Sequence, residues 1–484
     1  MIEYILDGHS FDNEVQTMVQ VFYPNTNYIL TDKPSDNGIT VLSRVEDQHA
    51  YAFIYNKGVL VIERKSEMSE KNIKETKRCI KLSIYNALKD ITGIKPPWGI
   101  LTGIRPTKII NSFFDEGKDG EYALSYMTEK YLVDTDKALL ALEVAKAERD
   151  ILKNNTGKDM NIYIGIPFCP TRCLYCSFTS YPFDKYSKKI DTYIDCVLKE
   201  LKLVLQYSKG RVLKTVYIGG GTPTSLSPSG LWRIISFLKD NFDFSNVSEF
   251  TVEGGRPDTL DPEKLSCLKK GGVSRLSINP QTMNERTLLK IGRKHSPQEI
   301  INAFHMAREA GFDNINADII LGLPDEEPKD VLYTLEEIKK LSPENLTVHT
   351  LAVKRASKLK ENFDEYKLSN PASMEEMLDM SVKAAYSMGM SPYYMYRQKN
   401  MIGSFENVGY SKPGCFGIYN VQIMEERQDV IAVGAGAISK TVDLKTGRID
   451  RIFNVKSVDD YMFRIEEMLE RKRKGLNTDE RSFN

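Results

Sequence analysis

The chain has 484 residues, more than one small core requires, and by length it divides into two or three domains. Basic and acidic side chains number 66 each, so the formal net charge is zero and no global basic field points to nucleic acid. No apolar run is long enough for a membrane span, and the start MIEYILDGHSFDNE has none of the three regions of a signal peptide; both predict a cytoplasmic protein with reduced thiols.

In chain order, Ile2 to Leu6 is a short apolar strand. The stretches GITVLSRV, QHAYAFIYN and KGVLVIERK, rich in β-branched and aromatic residues, predict strands within 38–64. A helix follows over 69–92, then the turn-rich connector GIKPPWGILTGIRPTKI, then two helices over 119–153. From 161 onward short apolar strands alternate with helices. Strands are expected at 161–166, 213–218, 248–253, 274–278, 314–319 and 346–351, with helices near 185–207, 228–240, 261–270, 297–310 and 328–340. Such alternation means parallel strands with helical crossovers. Six units predict an α/β class with a partial (β/α)6, TIM-like barrel, a doubly wound open sheet being the alternative. The C-terminal region is mixed, with a hairpin at VDLKTGRIDRIFN and a final helix ending EEMLERKRKG. The expected division is an N-terminal α/β domain with helical connector at 1–155, the barrel core at 156–370 and a substrate-covering region at 371–484.

Three of the seven cysteines fall in YIGIPFCPTRCLYCSF (163–178), where Cys169, Cys173 and Cys176 are spaced C-x3-C-x2-C. A disulfide uses two thiols. A closed structural zinc site wants four ligands, and no nearby histidine or cysteine supplies the fourth. A cuboidal iron–sulfur cluster takes three thiolates and leaves one iron open to a substrate or cofactor. Pro167 and Pro170 stiffen the loop. In YIGGGTPTSL (217–226), Gly219, Gly220 and Gly221 permit close backbone approach to a ligand, or simply a tight strand-to-helix turn. No G-K-[ST] follows, so this is not a Walker loop. Glu253, Gln281, Arg293 and Asp318 lie at or after the ends of separate strands, the barrel face where active sites form. Each alone is equally an ordinary helix cap or surface group. Cys79, Cys196, Cys267 and Cys415 are dispersed, and the five histidines show no ligand spacing.

The cysteine pattern with Tyr163 resembles the motif of the radical S-adenosylmethionine superfamily. That resemblance implies a 4Fe–4S cluster on Cys169, Cys173 and Cys176. Its open iron binds the methionyl amino and carboxylate groups, and reductive cleavage yields a 5′-deoxyadenosyl radical. It also implies S-adenosylmethionine contacts from Tyr163, Gly219, Gly220, Gly221, Thr222, Glu253, Gln281, Arg293 and Asp318. The strings IPFC, GGGTPTSL, RLSINPQTMNERTLLKIGRKHS and DIILGLP resemble the oxygen-independent coproporphyrinogen III dehydrogenase group, and KPPWGILTGIRPTK with YRQKNMIGSFENVGYSKPG resembles its HemZ-like branch. The implied chemistry is oxidative decarboxylation of two propionates to vinyl groups in porphyrin biosynthesis. The implied partners are a porphyrinogen, or haem, and an electron donor such as flavodoxin or ferredoxin.

Several positions depart from the group. Phe178 stands where characterised dehydrogenases carry a further cysteine, Gly165 stands for histidine, Pro280 for valine, and Arg256 for the asparagine of E-x-N-P. A haem chaperone on the same scaffold is the alternative, although its HN-x-x-YW motif is replaced here by ENVGYSKPG. The aromatics of YYMYRQKN, with Arg397 and Lys399, suit a flat anionic porphyrinogen, or else form a core edge. The turn VGAGAIS lies against the adenosine or is a glycine turn without a ligand.

Overall fold

The computed structural model describes residues 1–476 except 25, 104, 179, 355, 362–364, 399 and 400. It contains two units. One comprises Met1–Ala145 with Tyr396–Glu406; the other comprises Lys146–Met395 with the chain from Asn407 onward.

In the first unit, β1 (Ile2–Asp7), β2 (Tyr28–Leu30), β3 (Ile39–Glu46), β4 (His49–Asn56) and β5 (Val59–Glu67) form a sheet in the order β2-β1-β3-β4-β5. β1 runs parallel to β2 and β3, and β3, β4 and β5 are antiparallel. The helix Asp12–Phe22 buries Val15, Met18, Val19 and Phe22, a spacing that makes one helical face. The helix Ile73–Thr92 starts at Asn72, whose side chain accepts from Glu75 N, and stops at Gly93 with φ +70°. Residues from the distant Tyr396–Glu406 segment complete this unit. Glu406 accepts from Trp98 Nε1 at 2.8 Å and from Lys137 Nζ at 2.6 Å.

In the second unit, β6 (Asp159–Ile166) is followed by the short pair β7 (Phe168–Cys169) and β8 (Tyr181–Pro182). Then come β9 (Val212–Gly220), β10 (Glu249–Gly255), β11 (Arg275–Ile278), β12 (Ile315–Leu321) and β13 (Asn345–Thr350). The C-terminal part adds β14 (Ser391–Tyr396), β15 (Asn407–Ser411), β16 (Asp429–Val433), β17 (Ile438–Val442) and β18 (Ile449–Phe453). The sheet order is β14-β15-β13-β12-β11-β10-β9-β6-β16-β17-β18. The expected β/α units are present, with β6, β9, β10, β11, β12 and β13 mutually parallel along this order.

Local chemistry explains the short crossovers. The helices Pro228–Asn241, Pro262–Lys270, Pro297–Glu309 and Pro328–Leu341 all begin with proline, whose missing N–H costs nothing in a first turn. Ser227, Asp261 and Ser296 cap three of them by accepting an amide N–H from the first turn. The strands bury near-continuous apolar runs, as parallel strands covered by helices must. Ile162, Val216, Val252 and Leu276 are fully buried, each such side chain contributing about 1.5–3 kcal/mol.

Two features lie outside the sequence expectations. β16 pairs in parallel with the other edge of β6, adding a seventh parallel strand from the C-terminal region. The expected hairpin is present as β17 and β18, but it extends this same sheet. Among the described residues no helix is long and apolar enough to cross a membrane.

Candidate functional site

The cysteine loop leaves β6 and is fastened on three sides. Gly221 N donates to Ile166 O at 2.9 Å and Thr222 N to Phe168 O at 2.8 Å, so the glycine loop after β9 lies directly on it. Thr222 Oγ1 donates to Cys169 Sγ at 3.4 Å. From the other side, Leu174 N donates to Ile291 O at 2.9 Å, and Thr171 Oγ1 to Gly292 O at 2.8 Å. Leu359 N donates to Leu174 O at 3.0 Å.

Cys169, Cys173 and Cys176 are all partly exposed, unlike buried Cys79 and Cys196. Burial pushes the Cys169 thiol up to about 11, the hydroxyl of Thr222 and the charge of Arg256 pull it down, and Cys173 and Cys176 push it up. Burial also raises Cys176, again with Cys173 adding to the effect. The three sulfurs are thus electrostatic neighbours. Among the described residues no three His, Cys, Asp or Glu side chains are close enough to share one metal ion. Thiolates of a cuboidal cluster bind different irons and stand further apart than that. The donor set, three thiols on one short loop with Cys169 and Cys176 each raised in part by a neighbouring sulfur, fits such a cluster.

The glycine loop leaves no space for side chains. A Cβ on Gly221 would lie 2.8 Å from both Ile166 O and Phe168 O, and one on Gly219 would lie 2.8 Å from the Glu253 carboxyl carbon. Gly220 has φ +109°, and a Cβ there would be 3.0 Å from the Tyr163 hydroxyl. Tyr163 points into a stack of three rings. Its centroid is 6.1 Å from that of Tyr217 and 6.2 Å from that of Tyr419, while Tyr217 and Tyr419 are 4.5 Å apart.

Glu253 is held between this stack and the glycines. Its carboxylate accepts from Tyr217 Oη at 2.7 Å and from Gly220 N at 3.1 Å. Burial pushes its carboxyl up to about 7, against the pull of those two donors. Asp318 behaves oppositely. Burial raises it, but His349, Asn316 and Thr347 outweigh burial and leave it below the ordinary carboxylate value. Asn316 Nδ2 donates to it at 2.7 Å, and His349 Nε2 lies 3.8 Å away. Two carboxyls on β10 and β12, with β11 between them, therefore differ in proton affinity because of their surroundings.

Gln281 has φ +68°; its N donates to Asp318 O at 2.9 Å and its carbonyl accepts from Ile320 N at 3.0 Å. This turn aims a buried side chain whose Oε1 has no partner among the described residues. An orphaned acceptor here fits a bound ligand. Arg293 is also buried, donates to Asn279 O, and lies against the cysteine loop. Burial opposes its charge, but Tyr175 and Cys173 more than restore it.

The sequence-derived site residues thus lie on β6, β9, β10 and β12 or on the segments that follow β6, β9 and β11, with Asp318 in the middle of β12 rather than at its end. Sequence reasoning missed Tyr217, Tyr419, Asn316 and His349. The two-residue period of strands would have paired Tyr217 with Gly219, and Asn316 with Asp318. Arg397 is a correction to the expected porphyrinogen-binding set. It is buried, donates to Leu101 O and to Ser404 O at 2.8 Å, and lies 5.2 Å over the Trp98 ring, so its charge is spent inside the first unit. Lys399 lies outside the described residues. The VGAGAIS turn lies against the end of β6, where a Cβ on Gly434 would be 2.5 Å from Gly165 O.

Comparison with known proteins agrees with this geometry. Residues 163–338 match the model of the Radical SAM superfamily. The "Oxygen-independent coproporphyrinogen-III oxidase-like protein HemZ" of Bacillus subtilis (strain 168) is 37% identical over 474 residues, 96% of this chain and 95% of its own. The "Heme chaperone HemW" of the same organism is 33% identical over 276 residues, 57% of this chain and 69% of its own. The solved structure of coproporphyrinogen III oxidase (HemN) from Escherichia coli superposes with a TM-score of 0.53 at 23% identity, covering 67% of this chain and 73% of that one. The chain therefore belongs to the HemZ family of oxygen-independent coproporphyrinogen-III oxidase-like proteins within the radical SAM superfamily, which works with a 4Fe–4S cluster and S-adenosylmethionine.

Proposed function

We propose that this protein is an oxidoreductase that decarboxylates two propionate side chains of a coproporphyrinogen-type substrate to vinyl groups, each losing a hydrogen atom to the deoxyadenosyl radical and then carbon dioxide and one electron, the electron passing to an external one-electron acceptor. The observation that carries the reading is the convergence of the three thiols, the glycine loop, Glu253, Gln281 and Asp318 on one barrel face. Bound cluster and S-adenosylmethionine supply one-electron cleavage of a carbon–sulfur bond and hydrogen-atom abstraction.

The chain's own residues bind and orient. Cys169, Cys173 and Cys176 hold the cluster. The backbone of Gly219, Gly220, Gly221 and Thr222 takes the methionyl ammonium, and Arg293 suits its carboxylate. Glu253 and Asp318 accept from ribose hydroxyls, with Gln281 offering its free Oε1. Tyr163 and its stacked partners wall the cofactor and exclude water. Tyr419 and Gly434, from the C-terminal region, reach these strands, which supports assigning residues 371–484 to covering the substrate.

A second reading, haem delivery without turnover, is favoured by the 33% identity to a haem chaperone across the core. One anaerobic experiment separates the two. Protein reconstituted with iron and sulfide is reduced and given S-adenosylmethionine with coproporphyrinogen III. Formation of 5′-deoxyadenosine coupled to protoporphyrinogen supports the proposal. 5′-Deoxyadenosine with unchanged porphyrin overturns the substrate. A loaded, reduced protein that makes none but binds haemin supports the chaperone.

A further inference from the structure

The departure at position 256 has a structural consequence. β10 ends at Gly255, and the next residue is Arg256. Arg256 N donates to Gly254 O at 2.5 Å, a tight turn that throws its side chain back under the cysteine loop. The guanidinium is 3% exposed and its fork is filled. Nε donates to Asp258 Oδ1 at 2.9 Å and Nη2 to Oδ2 at 2.7 Å. The remaining arm, Nη1, donates to Thr171 Oγ1 at 2.6 Å.

Thr171 lies between Cys169 and Cys173 and itself donates to Gly292 O at 2.8 Å. Its hydroxyl is therefore fixed at both ends, with the donor aimed at Gly292 and the acceptor taken by Arg256. Asparagine has neither the length nor the charge to do this. Through this bond the guanidinium lies beside the cysteine loop, where its charge favours the Cys169 thiolate. His295, 3.8 Å from Asp258, is pushed down to about 4 chiefly by burial and then by Arg293, so it adds no charge at neutral pH.

We propose that Arg256 is a positioning residue for the cluster, pinning Thr171 in the cysteine loop and placing a fixed positive charge beside the thiolates that raises the cluster's reduction potential. This rests on the reading that the three cysteines hold the cluster. A cluster on three thiolates gains negative charge on reduction, and a nearby cation favours the reduced form. The pinned hydroxyl limits how far the loop can open, and partners of this kind govern metal retention.

The test uses the full chain, reconstituted anaerobically, with two readouts independent of turnover. One is the midpoint potential by spectroscopically monitored redox titration. The other is the rate of iron release to a chelator. Arg256→Asn, which removes both the charge and the fork, is expected to shift the midpoint to more negative potential and to release iron about 10-fold faster. Arg256→Lys keeps the charge and loses the fork. It is expected to hold most of the potential while releasing iron faster, and it stands in if the asparagine variant does not fold. A fully loaded Arg256→Asn protein with an unchanged or more positive midpoint overturns the proposal, as does Arg256→Lys with unchanged iron release. Wild-type protein that takes up no cluster overturns the underlying site instead, and is seen before any variant is compared.

Discussion

Lys472 and Glu200 meet as an ion pair at 3.2 Å with side chains 1% and 0% exposed. Glu200 also accepts from Gly434 N at 2.8 Å and Tyr461 Oη at 2.6 Å, so the pair ties the 433–439 turn to the helix Ile190–Tyr207. Removing one partner strands a buried charge. Lys472→Met is expected to cost about 3–5 kcal/mol in denaturant unfolding. Adding Glu200→Gln should recover part of that loss; full additivity would contradict the coupling.

Glu253 makes a pH-dependent prediction. Its folded pKa is raised from 4.5 to about 7, so the native state disfavours the ionised form. The resulting instability is absent below pH 4.5, grows between 4.5 and 7, and is complete above 7, where it amounts to about 3 kcal/mol as an upper bound. Glu253→Gln should therefore raise the melting temperature of cofactor-free protein at pH 8 and leave it nearly unchanged at pH 4. The same variant should weaken S-adenosylmethionine binding, measured by equilibrium dialysis. Loss of stability at pH 8 would refute the strained-carboxylate account.

Gly221 tests the backbone cradle. An alanine there meets two backbone oxygens at 2.8 Å, which no rotamer change relieves. Gly221→Ala should destabilise the protein by about 1–3 kcal/mol and lower S-adenosylmethionine affinity more than any neighbouring loop variant. A variant that binds S-adenosylmethionine normally would exclude the loop from the cofactor site.

The cysteines divide by location. Alanine at Cys169, Cys173 or Cys176 should abolish the broad sulfide-to-iron absorbance of reconstituted protein. Alanine at buried Cys196 should leave it intact. Retained absorbance after Cys173→Ala would remove that thiol from the ligand set.

The barrel strands were legible because apolar runs of strand length alternate with helices, three of which open on Ser-Pro or Asp-Pro. Glu253 and Asp318 were legible as polar residues within such runs. What pairs across sequence distance was not. Asp429–Val433 reads as one more short apolar run, and nothing local says that it docks beside β6. The N-terminal helix was missed although Val15, Met18, Val19 and Phe22 carry its period. Arg397 beside aromatics suggested a solvated, substrate-facing cation, because sequence alone does not show that Trp98 and the Leu101 carbonyl enclose it.

Glu406 finally bears on how this family can be taken apart or assembled. The first unit draws on two separated stretches, and Glu406, from the later one, satisfies both the Trp98 indole and the Lys137 ammonium of the earlier one. A fragment ending at residue 145 leaves both groups without that carboxylate. The N-terminal unit is therefore not a portable module. Transplanting it onto another barrel requires carrying the 396–406 stretch as well.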